Sequence, residues 1–533
     1  MSNSADSTTN SEISLTELSF LNGLQTEFSS IAEMITIRSQ EIPDRIHVTF
    51  YGREITYEQT QKRSNRVANF LKSYDVKKGD TISLMIMNSP EIYDCMFGIQ
   101  KLGAIAGSIN FALMAPEIAY VLDDSKPAIV FVGSDFIMEF AKGVELATHK
   151  PMIVEVESDV DHPEVPTEST LSRIMDDFSD EDVLVPQQLD DPFLLLYSSG
   201  TTGQPKGILL TNRGQLSICR DMARLGLVTG NDVMLILLPM FHINPICVWT
   251  FPLTFCGQTL SIRKAFSPTD FWPAIIENNV TILMGVPAMY NYVYYSIDPS
   301  TLDMTELKLR WAFCGAAPLS VDLIKGFKEK FNVDIIEGYG LTEGTGVSSA
   351  NPPKGIRKVG SIGKPLAEQQ IEILDEHLQP LATGDRGEIC IRSEANMKSY
   401  LNKPEATAET LIDGWLRTGD IGYKDGDGFL YIVDRKKDMI NRGGENIYPR
   451  EIEMVLEAHP DIVAVAVVGI PDEALGERVK AVLEETKPGI LNQEKVQVFL
   501  VDKIAAYKIP EIVEIIEQLP RNPTGKVLKK ELR

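Results

Sequence analysis

Short apolar runs alternate with amphipathic stretches through the first 340 or so residues, and that alternation limits the fold more than any other feature of the chain. Thr81–Met87 and Ile129–Val132 read as buried strands, whereas 90–102 and 115–122 carry apolar residues at the three- and four-residue spacing of a helix. Val233–Leu238, Gln258–Ile262, Ile282–Gly285, Trp311–Cys314 and Asp334–Glu337 repeat the strand pattern. Such switching predicts parallel sheets covered by helices. After about Gly360 shorter strands and turns take over, at Gln370–Leu374, Gly387–Ile391 and Phe429–Val433. A chain of 533 residues exceeds what one core usually holds, and 44% hydrophobic content is ample for at least two domains. The charged run Asp434–Asp438 predicts an interdomain hinge. Beyond it, a helix over Pro449–Ala458, strands at Val463–Val468 and Val479–Leu483, and helices near Gln493 and Ile509 suffice for a small α+β unit. The expected class is therefore α/β: a large N-terminal domain of layered sheets and helices with a β-rich subdomain, plus a small mobile α+β C-terminal domain. The expected boundaries are a frayed tail over 1–30, the large domain over 31–434, a hinge at 435–437 and the small domain over 438–533.

The segment Tyr197-Ser198-Ser199-Gly200-Thr201-Thr202-Gly203-Gln204-Pro205-Lys206 follows the apolar run Phe193–Leu196 and collects hydroxyls, glycines and one cation. Glycine lets backbone N–H groups approach an anion, and lysine balances its charge, so this composition suits a polyphosphate. It is not the common P-loop, because Pro205 precedes Lys206 and Gly207 follows it.

Several weaker motifs accompany it. Glu337-Gly338-Tyr339-Gly340-Leu341-Thr342-Glu343 offers an aromatic face for a base, a hydroxyl for phosphate and a carboxylate for a hard cation, or else is an ordinary turn before a core segment. Gly315-Ala316-Ala317-Pro318 ends a strand with residues too small to block a flat purine. Thr418-Gly419-Asp420 presents a carboxylate suited to ribose hydroxyls, or a plain β-turn. Arg435 adds a cation for ribose or phosphate, and the turn-rich loop Pro520–Lys526 exposes a lysine near the C-terminus.

In order and spacing these segments resemble the adenylate-forming superfamily of acyl-CoA synthetases, adenylation domains and luciferases, from about Ile31 to Arg533. The chain is most similar to the acyl-CoA ligases. Within them Val433–Ile452, with Arg442-Gly443-Gly444-Glu445-Asn446, resembles crotonobetaine/carnitine and medium-chain acid CoA ligases. The resemblance implies a large AMP-binding domain, a mobile C-terminal domain and three small-molecule requirements: ATP, Mg²⁺ and coenzyme A. It implies Lys526 as catalytic lysine, Glu343 as the magnesium ligand, Asp420 at the ribose, Tyr339 against adenine and Lys437 at the hinge. Thr342, Ser198, Ser199, Gly200, Thr201, Thr202, Lys206, Gly315, Ala316, Ala317, Glu337, Gly338, Ile432 and Arg435 complete the implied nucleotide site. Arg442, Gly443 and Gly444 are implied to line the pantetheine path after the C-terminal domain swings about the hinge.

Pro239-Met240-Phe241-His242-Ile243-Asn244 resembles the family's segment beside the carboxylate, where His242 either orients the acid or is a hydrogen-bonded core residue. From Val233 to Thr269 there is no Asp or Glu, which argues against an amino-acid substrate, since its buried ammonium would lack a partner. Trp249, Tyr290, Tyr292, Tyr294 and Tyr295 either form a cation-π wall for a quaternary ammonium acid or are helix packing and surface.

Composition excludes other classes. With 51 Lys and Arg against 75 Asp and Glu, the net charge of −24 disfavours nucleic acid. Six scattered cysteines without a C-x-x-C pair read as small buried hydrophobes of a reducing, cytoplasmic compartment. No apolar run approaches the roughly 18 residues of a membrane span. The expected activity is ATP-dependent, AMP-forming ligation of a small-molecule carboxylic acid to coenzyme A, by a monomer or homodimer without integral membrane association. The alternatives are a stand-alone adenylating enzyme that loads a carrier-protein thiol or uses its adenylate oxidatively, as luciferases do, and a non-catalytic binding module.

Overall fold

The structure, a computed structural model, describes residues 14–15, 18–158, 165, 167–198, 204–298, 304–315, 319–443, 445–472, 475–521 and 527–533. Two large, mainly parallel sheets form the body of the chain. One runs, in spatial order, Ser399–Tyr400, Lys206–Thr211, Pro192–Ser198, Ile105–Ser108, Thr81–Met85, Ile129–Gly133, Met152–Val156 and Ser169–Thr170. The other runs Lys364–Pro365, Ser349–Ala350, Asp334–Tyr339, Trp311–Cys314, Ile282–Gly285, Val233–Ile236, Thr259–Ile262, Ile46–Phe50 and Arg53–Thr56. Their central strands are covered on both faces, which is why Ile129–Gly133 and Ile282–Gly285 are buried at every position and read as unbroken apolar runs. One hydrophobic cluster spans both sheets, joining Ile82, Phe131 and Leu194 of the first to Met234, Leu260 and Phe313 of the second.

Helices cover the sheets and start where the sequence caps them. The helix Asn212–Leu225 begins after Thr211, whose side chain accepts the Gly214 N–H at 3.1 Å, and ends at Gly226 with φ of 76°. The third sheet is the β-rich part expected after Gly360: antiparallel Gln369–Leu374, Gly387–Ser393, Trp415–Lys424 and Leu411–Ile412, with Leu430–Arg435 against Trp415–Lys424. Glu368 straps this sheet to the large body, because its carboxylate accepts from Ser217 at 2.8 Å and pairs with Arg220 and Arg224 on the helix Asn212–Leu225. Against the penalty of burial, Arg220 leads the partners that hold Glu368 down to about 2. A carboxyl depressed in the folded state adds stability above its ordinary range and loses it as pH falls through about 2. Glu368→Gln is expected to lower stability at pH 7 by about 1–2 kcal/mol, with the difference shrinking below pH 4, as denaturant titrations at the two pH values would show.

The C-terminal part holds Glu445–Ile447, Ile440–Arg442, Gly476–Glu485 and Ile462–Asp472, with the helix Pro449–Glu457 packed on Ile462–Asp472. One expectation fails here. The segment near Ile509 is not a helix: a short 3-10 turn at Ala506–Lys508 leads into the strand Ile512–Ile516, parallel to Gly476–Glu485. Apolar residues at 509, 512, 513, 515 and 516 satisfy either period, and pairing with the sheet edge decides for the strand. All six cysteines are buried with free thiols. Among the described residues no helix is long and apolar enough to cross a membrane.

Candidate active site

The phosphate-type loop springs from two antiparallel strands, Pro192–Ser198 and Lys206–Thr211, whose register sets Ser198 opposite Lys206. Tyr197 donates to Asp124 Oδ2 at 2.8 Å and Tyr120 donates to the Pro205 carbonyl at 2.9 Å, so both flanks of the loop are tied to the helix Ala115–Ser125. Ser199, Gly200, Thr201 and Thr202 lie outside the described residues, as do Ala316, Ala317, Gly444 and Lys526.

Lys206 and Glu343, distant in sequence, meet through Tyr400, a residue that sequence reasoning missed. The Lys206 ammonium sits over the Tyr400 ring, 4.7 Å from its centroid, while the Tyr400 hydroxyl donates to Glu343 Oε1 at 2.8 Å. Tyr400 reaches this position because Ser399–Tyr400 adds a two-residue strand against Ile208–Leu209. Glu343 lies in the short 3-10 turn Thr342–Gly344 that follows the strand Asp334–Tyr339, and its carbonyl accepts the Met397 N–H at 2.6 Å. Burial, then the Glu343 carboxylate, pushes the Tyr400 phenol pKa up, so it remains a donor at neutral pH. Removing only that hydroxyl with Tyr400→Phe is expected to raise the KM for ATP about threefold to tenfold, measured by initial rates at saturating acid.

A second group surrounds Asp420. Tyr339 donates to Asp420 Oδ2 at 2.6 Å and Arg435 Nε pairs with Asp420 Oδ1 at 2.9 Å. The pairing of Trp415–Lys424 with Leu430–Arg435 fixes this geometry by setting Asp420 opposite Arg435. Each carboxylate oxygen keeps a further lone pair for an incoming hydroxyl. Ile432 packs into the cluster that contains Tyr339. Gly338 must be glycine, since a Cβ there would lie 2.2 Å from Phe313 Cζ. A Cβ on Gly315 would lie 3.6 Å from Asn244 Nδ2 and 3.8 Å from the Gly338 carbonyl, so these small residues bring two strand ends together. Glu337 Oε2 accepts the Gly360 N–H at 3.1 Å, and burial raises its carboxyl to about 7. An open cavity of about 300 Å³ separates Glu343 and Tyr400 from Thr418 and Gly419.

The residues expected beside the acid are placed as follows. His242 packs on Phe241 with ring centroids 4.1 Å apart, and burial lowers its imidazole to about 4, leaving it neutral. Tyr290 is buried and donates to the Phe313 carbonyl at 2.7 Å, Tyr292 and Tyr295 are exposed, and Tyr294 meets Lys330. The tyrosines are therefore helix packing and surface, not a cation-π wall. Arg442 pairs with Glu511 and the Gly443 N–H donates to the Leu475 carbonyl at 2.7 Å, both partners lying in the C-terminal part. Lys437, at the expected hinge, is held down to about 8 by burial and then by Arg435.

The model of the AMP-binding enzyme matches residues 36–401, and that of the AMP-binding enzyme C-terminal domain matches residues 451–526. The chain belongs to the AMP-binding enzyme family. This AMP-binding enzyme is 36% identical over 485 residues to the long-chain-fatty-acid CoA ligase FadD13 of Mycobacterium tuberculosis, covering 90% of this chain and 92% of that one. It is 32% identical over 502 residues to the crotonobetaine/carnitine CoA ligase of Proteus mirabilis, covering 90% and 93%. The fold matches the O-succinylbenzoate coenzyme A synthetase MenE of Bacillus subtilis, solved with ATP and a magnesium ion, at a TM-score of 0.81 and 29% identity, over 94% of this chain and 98% of that one.

An ATP–magnesium site fits the residues present. Among the described residues no cluster of three His, Cys, Asp or Glu forms a metal cage; the cavity is lined by the carboxylates of Glu343, Glu388 and Glu409, of which Glu388 is paired with Arg417 and Glu343 is linked through Tyr400 to the Lys206 cation. Magnesium is commonly held by one or two carboxylates together with the phosphates of its nucleotide.

Proposed function

We propose that this AMP-forming acid–thiol ligase activates a small carboxylic acid at the seam between the Lys206–Tyr400–Glu343 group and the Tyr339–Asp420–Arg435 group, and then transfers the acyl group to coenzyme A. The observation that carries the reading is the Tyr400 bridge, which joins the Lys206 ammonium to the Glu343 carboxylate, the two groups to which this reading gives the phosphate and the metal.

The first step brings two anions together, as the acid's carboxylate oxygen attacks the α-phosphorus and the bond to pyrophosphate breaks. Lys206 and Lys526 lower that repulsion by placing positive charge where it builds up. Magnesium on Glu343 supplies further charge neutralisation when bound. Tyr339 and Ile432 offer the apolar surface for adenine, Asp420 accepts from the ribose, and neutral His242 orients the carboxylate by hydrogen bonding without competing for the positive role. In the second step the thiol sulfur attacks the acyl carbon, the bond to the AMP oxygen breaks, and the thiol proton is lost to solvent. Arg442, Gly443 and Gly444 serve this step after the C-terminal part rotates about Lys437, and Arg442 and Gly443 move with their partners Glu511 and Leu475, which lie in the same part.

The test is AMP and pyrophosphate release over straight-chain, aryl and quaternary ammonium acids, with and without coenzyme A. AMP turnover that depends on coenzyme A supports the reading. Pyrophosphate release indifferent to coenzyme A would replace it with carrier-protein loading.

A further inference from the structure

We propose that Asn244 and Trp249 form a subsite that selects carboxylic acids carrying a hydroxyl group of their own. The inference rests on the ligase reading above for the position of the acid, and on four observations for its chemistry.

The first is the backbone. Asn244–Thr250 is a π-helix, in which the Phe251 N–H bonds to the Ile246 carbonyl five residues back and Thr250 Oγ1 donates to the Pro245 carbonyl at 2.8 Å. Bonding between residues five apart places Asn244 and Trp249 on one face, and such turns are rare and frequently found at functional sites. The second is location. Asn244 Nδ2 lies 3.6 Å from where a Gly315 Cβ would stand, and Trp249 meets Phe313 edge-on with centroids 5.2 Å apart. Both side chains therefore sit by the C-terminal ends of Trp311–Cys314 and Asp334–Tyr339, where α/β folds bind ligands and where Tyr339 meets Asp420.

The third observation is unmet hydrogen bonding. Trp249 Nε1, Asn244 Oδ1 and His242 Nε2 are all buried without a partner, three such atoms within eight consecutive residues. Each unpaired polar group in a buried site costs on the order of 1–3 kcal/mol, which a matching ligand group would recover. The indole offers only a donor and the amide oxygen only an acceptor. A hydroxyl answers both at once, accepting from Trp249 Nε1 and donating to Asn244 Oδ1, whereas an alkyl chain or bare ring answers neither. The fourth is charge: with no Asp or Glu from Val233 to Thr269, this wall holds nothing to pair an ammonium, so the complementary group is neutral.

The experiment compares hydroxylated acids with their deoxy counterparts on matched aliphatic and aryl skeletons, using the full chain. Binding is read by titration calorimetry and turnover by AMP release with coenzyme A. The best hydroxy/deoxy pair is expected to differ at least tenfold in Kd and in kcat/KM. Trp249→Phe, which keeps a ring against Phe313 but removes the N–H, and Asn244→Leu are each expected to bring that ratio toward one, whereas a purely structural role would weaken both members of a pair alike. Ratios near one for every pair in the unaltered protein, or a ratio that survives both substitutions, would overturn the subsite. Failure of every acid to yield AMP would instead overturn the ligase reading, and the calorimetric ratio would still decide the subsite.

Discussion

Lys526→Ala is expected to reduce pyrophosphate release about 10²–10³-fold while thioester formation from supplied acyl-adenylate falls less than tenfold. The contrast follows from charge. Adenylation forces a carboxylate onto a triphosphate and needs every nearby cation, whereas the thiol attacks an acyl carbon in a mixed anhydride that has already lost pyrophosphate. Lys526 lies outside the described residues, but the base of its loop is closed by a bridge between Arg521 and Val527 and by the Leu528 N–H on the Pro520 carbonyl at 2.8 Å. Beyond the loop, Lys529 pairs with Glu453 at 2.7 Å and Arg533 with Asp438 at 3.1 Å. The described residues on both sides of Lys526 are thus tied to one another and to Glu453 and Asp438, all of them past the expected hinge at Lys437, so one rotation is expected to withdraw the lysine. Stopped-flow measurement of the two half-reactions with the variant decides the matter, and equal losses in both would remove the rotation from the mechanism.

Glu343→Gln should lower adenylation by about 10²-fold and shift the half-saturating magnesium concentration upward by an order of magnitude or more. The amide keeps the shape of the side chain and can still accept from the Tyr400 hydroxyl, so the bridge to Lys206 persists while the negative charge is lost. A magnesium titration of pyrophosphate release separates this from misfolding, because added metal restores part of the rate only where charge was the defect. An unchanged magnesium curve would move the metal ligand elsewhere.

The contrast between Glu343 and Tyr400 shows what sequence could and could not convey. Glu343 stands in a compact motif directly after the strand Asp334–Tyr339, so glycine, hydroxyl and carboxylate announce themselves within seven residues. Tyr400 sits in an unremarkable Lys-Ser-Tyr-Leu stretch and gains its role only when Ser399–Tyr400 pairs with Ile208–Leu209. Central strands were legible for a related reason. Ile282–Gly285 and Trp311–Cys314 match their expected limits because burial on both faces writes itself as an apolar run. The segment near Ile509 departs from its expected helix because the five-residue edge strand Ile512–Ile516 satisfies helical spacing as well, and only its neighbour Gly476–Glu485 distinguishes the two. Nor does the run from Asn244 to Thr250 reveal its unusual winding, since helices of both kinds share its composition.

That winding has an evolutionary consequence. A π-turn accommodates one residue more than the α-turn it interrupts, so loss of a single codon between Asn244 and Trp249 would restore ordinary winding and leave the two side chains four residues apart, still on one face. Trp249 would keep the face it shares with Asn244, and only the residues between them would change position. Descendants of this gene could thus shorten the segment by one in-frame deletion and still hold both side chains on the face that meets Phe313.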